Sequence, residues 1–167
     1  MFDEWFSYSR EDPIGFLCNE SRDKKGRLLN DYYKFSDAQI DSDKYFFDRM
    51  FPLCEEGIED KKAPICQRNA AECVHCDTTI TMNMNRSYKF ICDYYLLLKE
   101  YCGYADYSKL CSRSSKAPAR IIRMLKSLRM FGMYDLVREL VDVLGFIENR
   151  GFIPKFIYSE MLNASRF

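Results

Sequence analysis

A mainly α-helical fold follows from three features of this chain. Apolar residues recur at three- and four-residue steps from about residue 85 onward, which puts them on one face of a helix. Pro118 and Pro154 stand at the starts of such runs, and Gly103 and Gly132 at their ends, where each residue type is tolerated. The composition, 47% hydrophobic and 30% charged over 167 residues, suits one compact domain with a substantial core.

The first fifty residues are aromatic and acidic. Phe16-Leu17-Cys18 and Arg27-Leu28-Leu29 flank Asp23-Lys24-Lys25-Gly26, which predicts a short N-terminal β-hairpin with glycine completing its turn. Ser36 followed by Gln39 reads as a capping box, and Tyr45, Phe46, Phe47 and Met50 predict a short helix between Asp43 and Met50, stopped by Pro52. Phe90, Ile91, Tyr94, Tyr95, Leu98 and Tyr101 predict a long buried helix from Asn85 to Tyr101, closed by Gly103, with a shorter turn of helix from Asp106 to Ser112.

A polar linker over residues 112–118 precedes a helix starting near Pro118. Its Ile121, Ile122, Leu125 and Leu128 form one side, and Arg120, Arg123, Lys126 and Arg129 the other, so one face packs and the other is available. Gly132 ends it, a second helix begins near Tyr134 with Leu136, Val137, Leu140, Val141 and Leu144 as its stripe, and Phe152-Ile153-Pro154 starts a last helix ending near Asn163. The chain therefore divides into an acidic aromatic region (1–53), a cysteine-rich helical region (54–112) and a helical hairpin with a basic face (113–167), within one unit.

Cys54, Cys66, Cys73, His75 and Cys76 lie within 23 residues, ending in Cys73-Val74-His75-Cys76. Two thiolates three residues apart can turn toward one tetrahedral ion, and Cys54 and Cys66 are the nearest second pair, although eleven intervening residues exceed the usual two to four. A structural zinc on Cys54, Cys66, Cys73 and Cys76 is the metal expectation, with Cys92 able to replace Cys54 or Cys66. The competing reading is a set of free cysteines packed as small hydrophobes. A catalytic zinc has little support, since the chain has one histidine and no carboxylate at a metalloenzyme spacing.

The formal net charge is zero, yet residues 1–75 carry sixteen acids against eleven bases, while residues 101–130 carry Asp106 against Lys109, Arg113, Lys116, Arg120, Arg123, Lys126 and Arg129. Those seven bases are the candidate RNA-contacting set: Lys and Arg at helical spacing can follow a phosphate backbone without reading sequence. The alternative gives the same bases to the acidic half of this protein. Nothing matches a phosphate loop, a nucleophile elbow or paired histidines, so the expectation is a binding protein without catalysis or a small-molecule substrate. Acids rather than bases near the N-terminus, and no apolar run near the ~20 residues that cross a bilayer, point to a cytoplasmic protein with no membrane partner.

Two resemblances bear on function. Cys66 and Cys76, like Cys92 and Cys102, are separated by nine residues; over 66–102 the chain resembles the twin CX9C proteins of the mitochondrial intermembrane space, which implies a disulfide-stapled subunit or assembly factor. In composition, with two Gln and three Thr beside abundant Phe, Tyr, Met, Cys and Arg, and in its size and cysteine-bearing helical layout, the chain resembles microsporidian ribosome dormancy factors. That resemblance implies occupation of a tRNA site and inhibition of translation. The basic helix would face ribosomal RNA and the acidic half ribosomal proteins.

Overall fold

A computed structural model of the chain describes residues 11–98, 107–111 and 115–166. It is mainly helical, with no strand among the described residues. Among the described residues ten helices follow in order: α1 (Pro13–Leu17), α2 (Leu29–Tyr32), α3 (Asp37–Ser42), α4 (Phe47–Met50), α5 (Arg68–Cys73), α6 (Thr78–Tyr95), α7 (Ser108–Cys111), α8 (Ala117–Met130), α9 (Tyr134–Asn149) and α10 (Lys155–Ser165). α8 is the hub: α5, α6, α7, α9 and α10 all pack on it, and α1 packs on α6 and α4.

The predicted hairpin is a turn without strands. Asp23 N–H donates to the Arg27 carbonyl at 2.8 Å and the Asp23 carboxylate accepts from the Lys25 and Arg27 amides. Phe16 and Leu17 of the first flank lie in α1 and Leu29 of the second in α2, with Cys18 and Leu28 as their caps. Asp12 caps α1 by accepting from Ile14 N–H at 3.1 Å, with Pro13 in the first turn, so the local signals favour helix there. The Ser36–Gln39 capping box does form and starts α3, while the expected 43–50 helix shrinks to α4.

α6 begins seven residues earlier than the periodicity indicated, because the Asp77 carboxylate accepts from Ile80 N–H at 2.9 Å and opens the helix at Thr78. It stops before the expected glycine, at Leu96, which adopts φ 57° while Leu97 N–H bonds the Cys92 carbonyl at 2.8 Å. The buried Leu97 side chain anchors a left-handed turn that a glycine would otherwise make. Tyr101, Gly103 and Asp106 lie outside the described residues. α8, α9 and α10 start within a residue of their predicted positions.

One core runs from Phe16 in α1 to Ala164 in α10, with Ile121, Met124, Leu125 and Leu128 of α8 at its centre. α9 contributes Val137, Leu140, Val143, Leu144 and Ile147, whereas Leu136 and Val141 are only partly buried. An aromatic chain, Phe16, Tyr32, Phe46, Phe47 and Phe51, carries the core into the N-terminal region with ring centroids 5.2–5.9 Å apart.

Candidate functional site

The basic side chains of α8 are drawn inward by acids from residues 48–60. Arg120 is 1% exposed and Arg123 2% exposed, so the expected free basic face is not free at these two positions. Arg120 forms a two-pronged pair with Glu59 (3.0 and 2.9 Å) and donates to the Tyr95 hydroxyl and the Ile40 carbonyl. Arg123 Nε lies 2.9 Å from Asp48 Oδ1 and donates to the Phe51 carbonyl. Burial pushes the Arg123 pKa down by more than Asp48 and Glu55 restore, whereas for Arg120 burial is outweighed by Glu59 and Tyr95, and the pKa rises.

Asp48 is the pivot of this arrangement. Its carboxylate accepts from the amides of Ile58, Glu59 and Asp60 at 2.8–2.9 Å, folding the acidic loop back onto α8. Gly57 permits that return: a Cβ there would lie 2.2 Å from the Asp60 carbonyl and 2.7 Å from Asp48 Oδ2. Arg49 extends the network, bonding Asp60 at 2.8 Å and clasping Glu11 with two nitrogens.

The rest of the predicted set is dispersed. Lys109 pairs with Asp37 at 3.0 Å and sits over the Tyr94 ring; Lys116 pairs with Glu59 and donates to the Asp41 carbonyl; Arg113 lies outside the described residues. Lys109, Lys116 and Arg120 line a cleft of about 310 Å³ beside Asp41, Tyr94 and Tyr95. Lys126 pairs with Glu55 at 2.9 Å, both side chains part exposed, and Arg129 donates to the Ala164 carbonyl near the end of α10.

The four expected zinc ligands do not converge. Cys54, Cys73 and Cys76 are exposed, while Cys66 is buried, its N–H bonded to the Leu53 carbonyl and its thiol pushed up to about 11 by burial, with Cys54 nearby adding to the shift. Among the described residues no three His, Cys, Asp or Glu side chains are grouped to hold an ion. As arranged here, Cys66 is buried and Cys54, Cys73 and Cys76 are exposed, so the four do not share one environment. Cys92, the possible substitute, is buried in α6. Of the two nine-residue pairs, Cys66 and Cys76 flank α5, Cys92 lies in α6, and Cys102 is outside the described residues.

Members of both predicted sets do meet at one cleft of about 540 Å³, lined by Cys54, Glu55, Arg68, Glu72, His75, Lys126, Arg129 and Tyr134 among others. α5 brings Arg68 and Glu72, α8 brings Lys126 and Arg129 one turn apart, and α9 brings Tyr134. His75 closes off part of the wall. Its Nε2 must carry a proton to donate to the Met130 carbonyl at 2.8 Å, so it caps the end of α8. The ring packs against Gly132, whose φ of 76° lets the α8–α9 turn come close; a Cβ there would lie 3.0 Å from Nδ1. His75 is thus committed to holding α5's exit against the helical hairpin.

Sequence reasoning missed Arg68, because it stands outside the basic stretch, and placed Tyr134 at the start of a helix without a role in binding, although it is 42% exposed. No helical periodicity marks a residue at the first turn of a helix as lining a neighbouring cleft. The signal that was legible is charge complementarity, since the acids at 48–60 and the bases at 116–126 are the partners in the ion pairs above. Comparisons with protein-family models, curated proteins and solved structures give no match for this chain. No described helix is long and apolar enough to cross a membrane.

Proposed function

We propose that this chain is a non-enzymatic factor that docks on a ribonucleoprotein, with the ribosome as the particle, and acts by occupying a site there. The observation that carries this reading is the cleft itself, lined by Arg68, Lys126 and Arg129 together with an exposed tyrosine. The contact surface is therefore the α5–α8–α9 cleft instead of the full length of α8, because Arg120 and Arg123 are spent on internal pairs. Lys126 is available in exchange terms: its pair with Glu55 is part exposed, and such pairs contribute only about 0–1 kcal/mol, so a phosphate can replace the carboxylate.

Reversing charge at Arg68 and Lys126 together, in full-length protein, tests this by co-sedimentation with ribosomes across a salt series. The double variant should pellet less and show a flatter salt dependence than the wild type. Equal pelleting of the two proteins at every salt concentration overturns the reading. Arg123 is the wrong residue for such a test, since reversing a buried charge would disrupt the fold before it reported on binding.

A further inference from the structure

We infer that the α5–α8–α9 cleft receives one unpaired nucleotide of single-stranded RNA, its phosphate among Arg68, Lys126 and Arg129 and its base on the Tyr134 ring. This rests on the ribonucleoprotein reading and names the group that the cleft holds. The volume, about 540 Å³, is in the range of pockets that enclose small organic ligands. The cleft is partly open, so its charges, and not its shape, select a single nucleotide.

The charges select one phosphate over a continuous track. Arg68, Lys126 and Arg129 are opposed by Glu55 and Glu72 on the same walls, so a second phosphate in the recess would meet a carboxylate. The same carboxylates are acceptors, which suit the exocyclic amino group of a base. Tyr134 supplies an aromatic face to the cleft, and stacking on such a face is tolerant of base identity. The wall behind is fixed, because His75 is hydrogen-bonded to Met130 and packed on Gly132.

Fluorescence anisotropy of a labelled hexa-adenylate with the full-length protein, competed by unlabelled hexa-adenylate, 5′-AMP and inorganic phosphate, tests the inference. Tyr134→Leu should weaken hexa-adenylate binding at least 5-fold while leaving competition by inorganic phosphate unchanged, and Tyr134→Phe should bind as the wild type does. Arg68→Gln and Lys126→Gln should each lower the salt slope by about 0.7. Wild-type affinity in Tyr134→Leu overturns the inference, as does inorganic phosphate competing as well as 5′-AMP. Competition by 5′-AMP at lower concentration than unlabelled hexa-adenylate also overturns it, in favour of a free nucleotide. If Tyr134→Leu binds the oligonucleotide normally while the Arg68/Lys126 reversal still abolishes ribosome pelleting, the stacked nucleotide fails and the docking reading stands. The reverse pattern sinks the ribosome and keeps the nucleotide.

Discussion

Removing Asp48 should cost more stability than removing the arginine it faces, although the two sit 2.9 Å apart. In Asp48→Ala the amides of Ile58, Glu59 and Asp60 lose their acceptor, at about 1 kcal/mol each where water can partly replace it. The Arg123 guanidinium also loses its closest carboxylate while 2% exposed, a change that in buried pairs costs about 3–5 kcal/mol. Allowing for relaxation, about 4–6 kcal/mol is expected, a large share of the ~5–15 kcal/mol that holds a domain together. In Arg123→Met the carboxylate keeps its three amide donors and methionine fills much of the space, but the Phe51, Glu56 and Asp48 carbonyls lose a donor, so the loss should be about 2–3 kcal/mol. The double variant should then be more stable than the two single losses added together, by about 2 kcal/mol, because it leaves no orphaned guanidinium. Urea unfolding at pH 7, followed by far-ultraviolet circular dichroism on all four proteins, gives the cycle. Equal losses in the two single variants, or additivity within about 0.5 kcal/mol, would refute the idea that Asp48 serves the loop first and the arginine second.

Gly132→Ala should lose about 1–2 kcal/mol from its left-handed backbone alone, and a further part from contact with His75 that His75→Ala relieves; thermal melts of the single and double variants separate the two. Alkylation at pH 8 should modify Cys54, Cys73 and Cys76 in the folded protein and spare Cys66 and Cys92, whose thiols burial pushes up to about 11 and about 12; early labelling of Cys66 or Cys92 would contradict their placement. Chelation should leave the melting temperature unchanged, since the cysteines do not converge, and a fall of several degrees would show that they gather around an ion. Burial raises the Asp43 carboxyl, but hydrogen bonds from Arg27, the Tyr45 amide and Lys25 hold it down at about 2. A depressed carboxylate contributes stability that is fully present above the unfolded value near 4 and lost as pH falls toward 2, so unfolding free energy should drop over that window, and Arg27→Met should shrink the drop.

The helices of the C-terminal half were legible because a single physical signal decides them: α8, α9 and α10 each bury one stripe, and Pro118, Gly132 and Pro154 mark their limits. The N-terminal half was harder, since its helices are four to six residues long and too short for a periodicity to register. There the side chains that cap the turns decide the outcome. Asp12, Asp23 and Ser36 accept amide hydrogens locally, and that turns the supposed strands around residues 16 and 28 into helical turns joined by a tight loop. α6 shows both effects, its start set by the cap at Asp77 and its end by the buried Leu97.

Why the site was only partly legible has a different cause. A helical wheel assigns Arg120 and Arg123 to the polar side of α8, and that assignment is right about the helix and wrong about solvent. The polar side is covered by a loop whose acids match it in register: Glu59 meets Lys116 and Arg120, Asp48 meets Arg123, and Glu55 meets Lys126. Long arginine side chains can be buried along their stems when a carboxylate waits at the tip, so charge on one helix face indicates exposure only if no complementary segment exists elsewhere in the chain. Here residues 48–60 are that segment. Lys126 and Arg129, toward the end of α8, line a cleft together with Arg68 and Glu72 of α5 instead of being buried as Arg120 and Arg123 are. The proposed binding role therefore draws on the C-terminal end of α8, and substitutions at Arg120 or Arg123 will be read in stability before they are read in affinity.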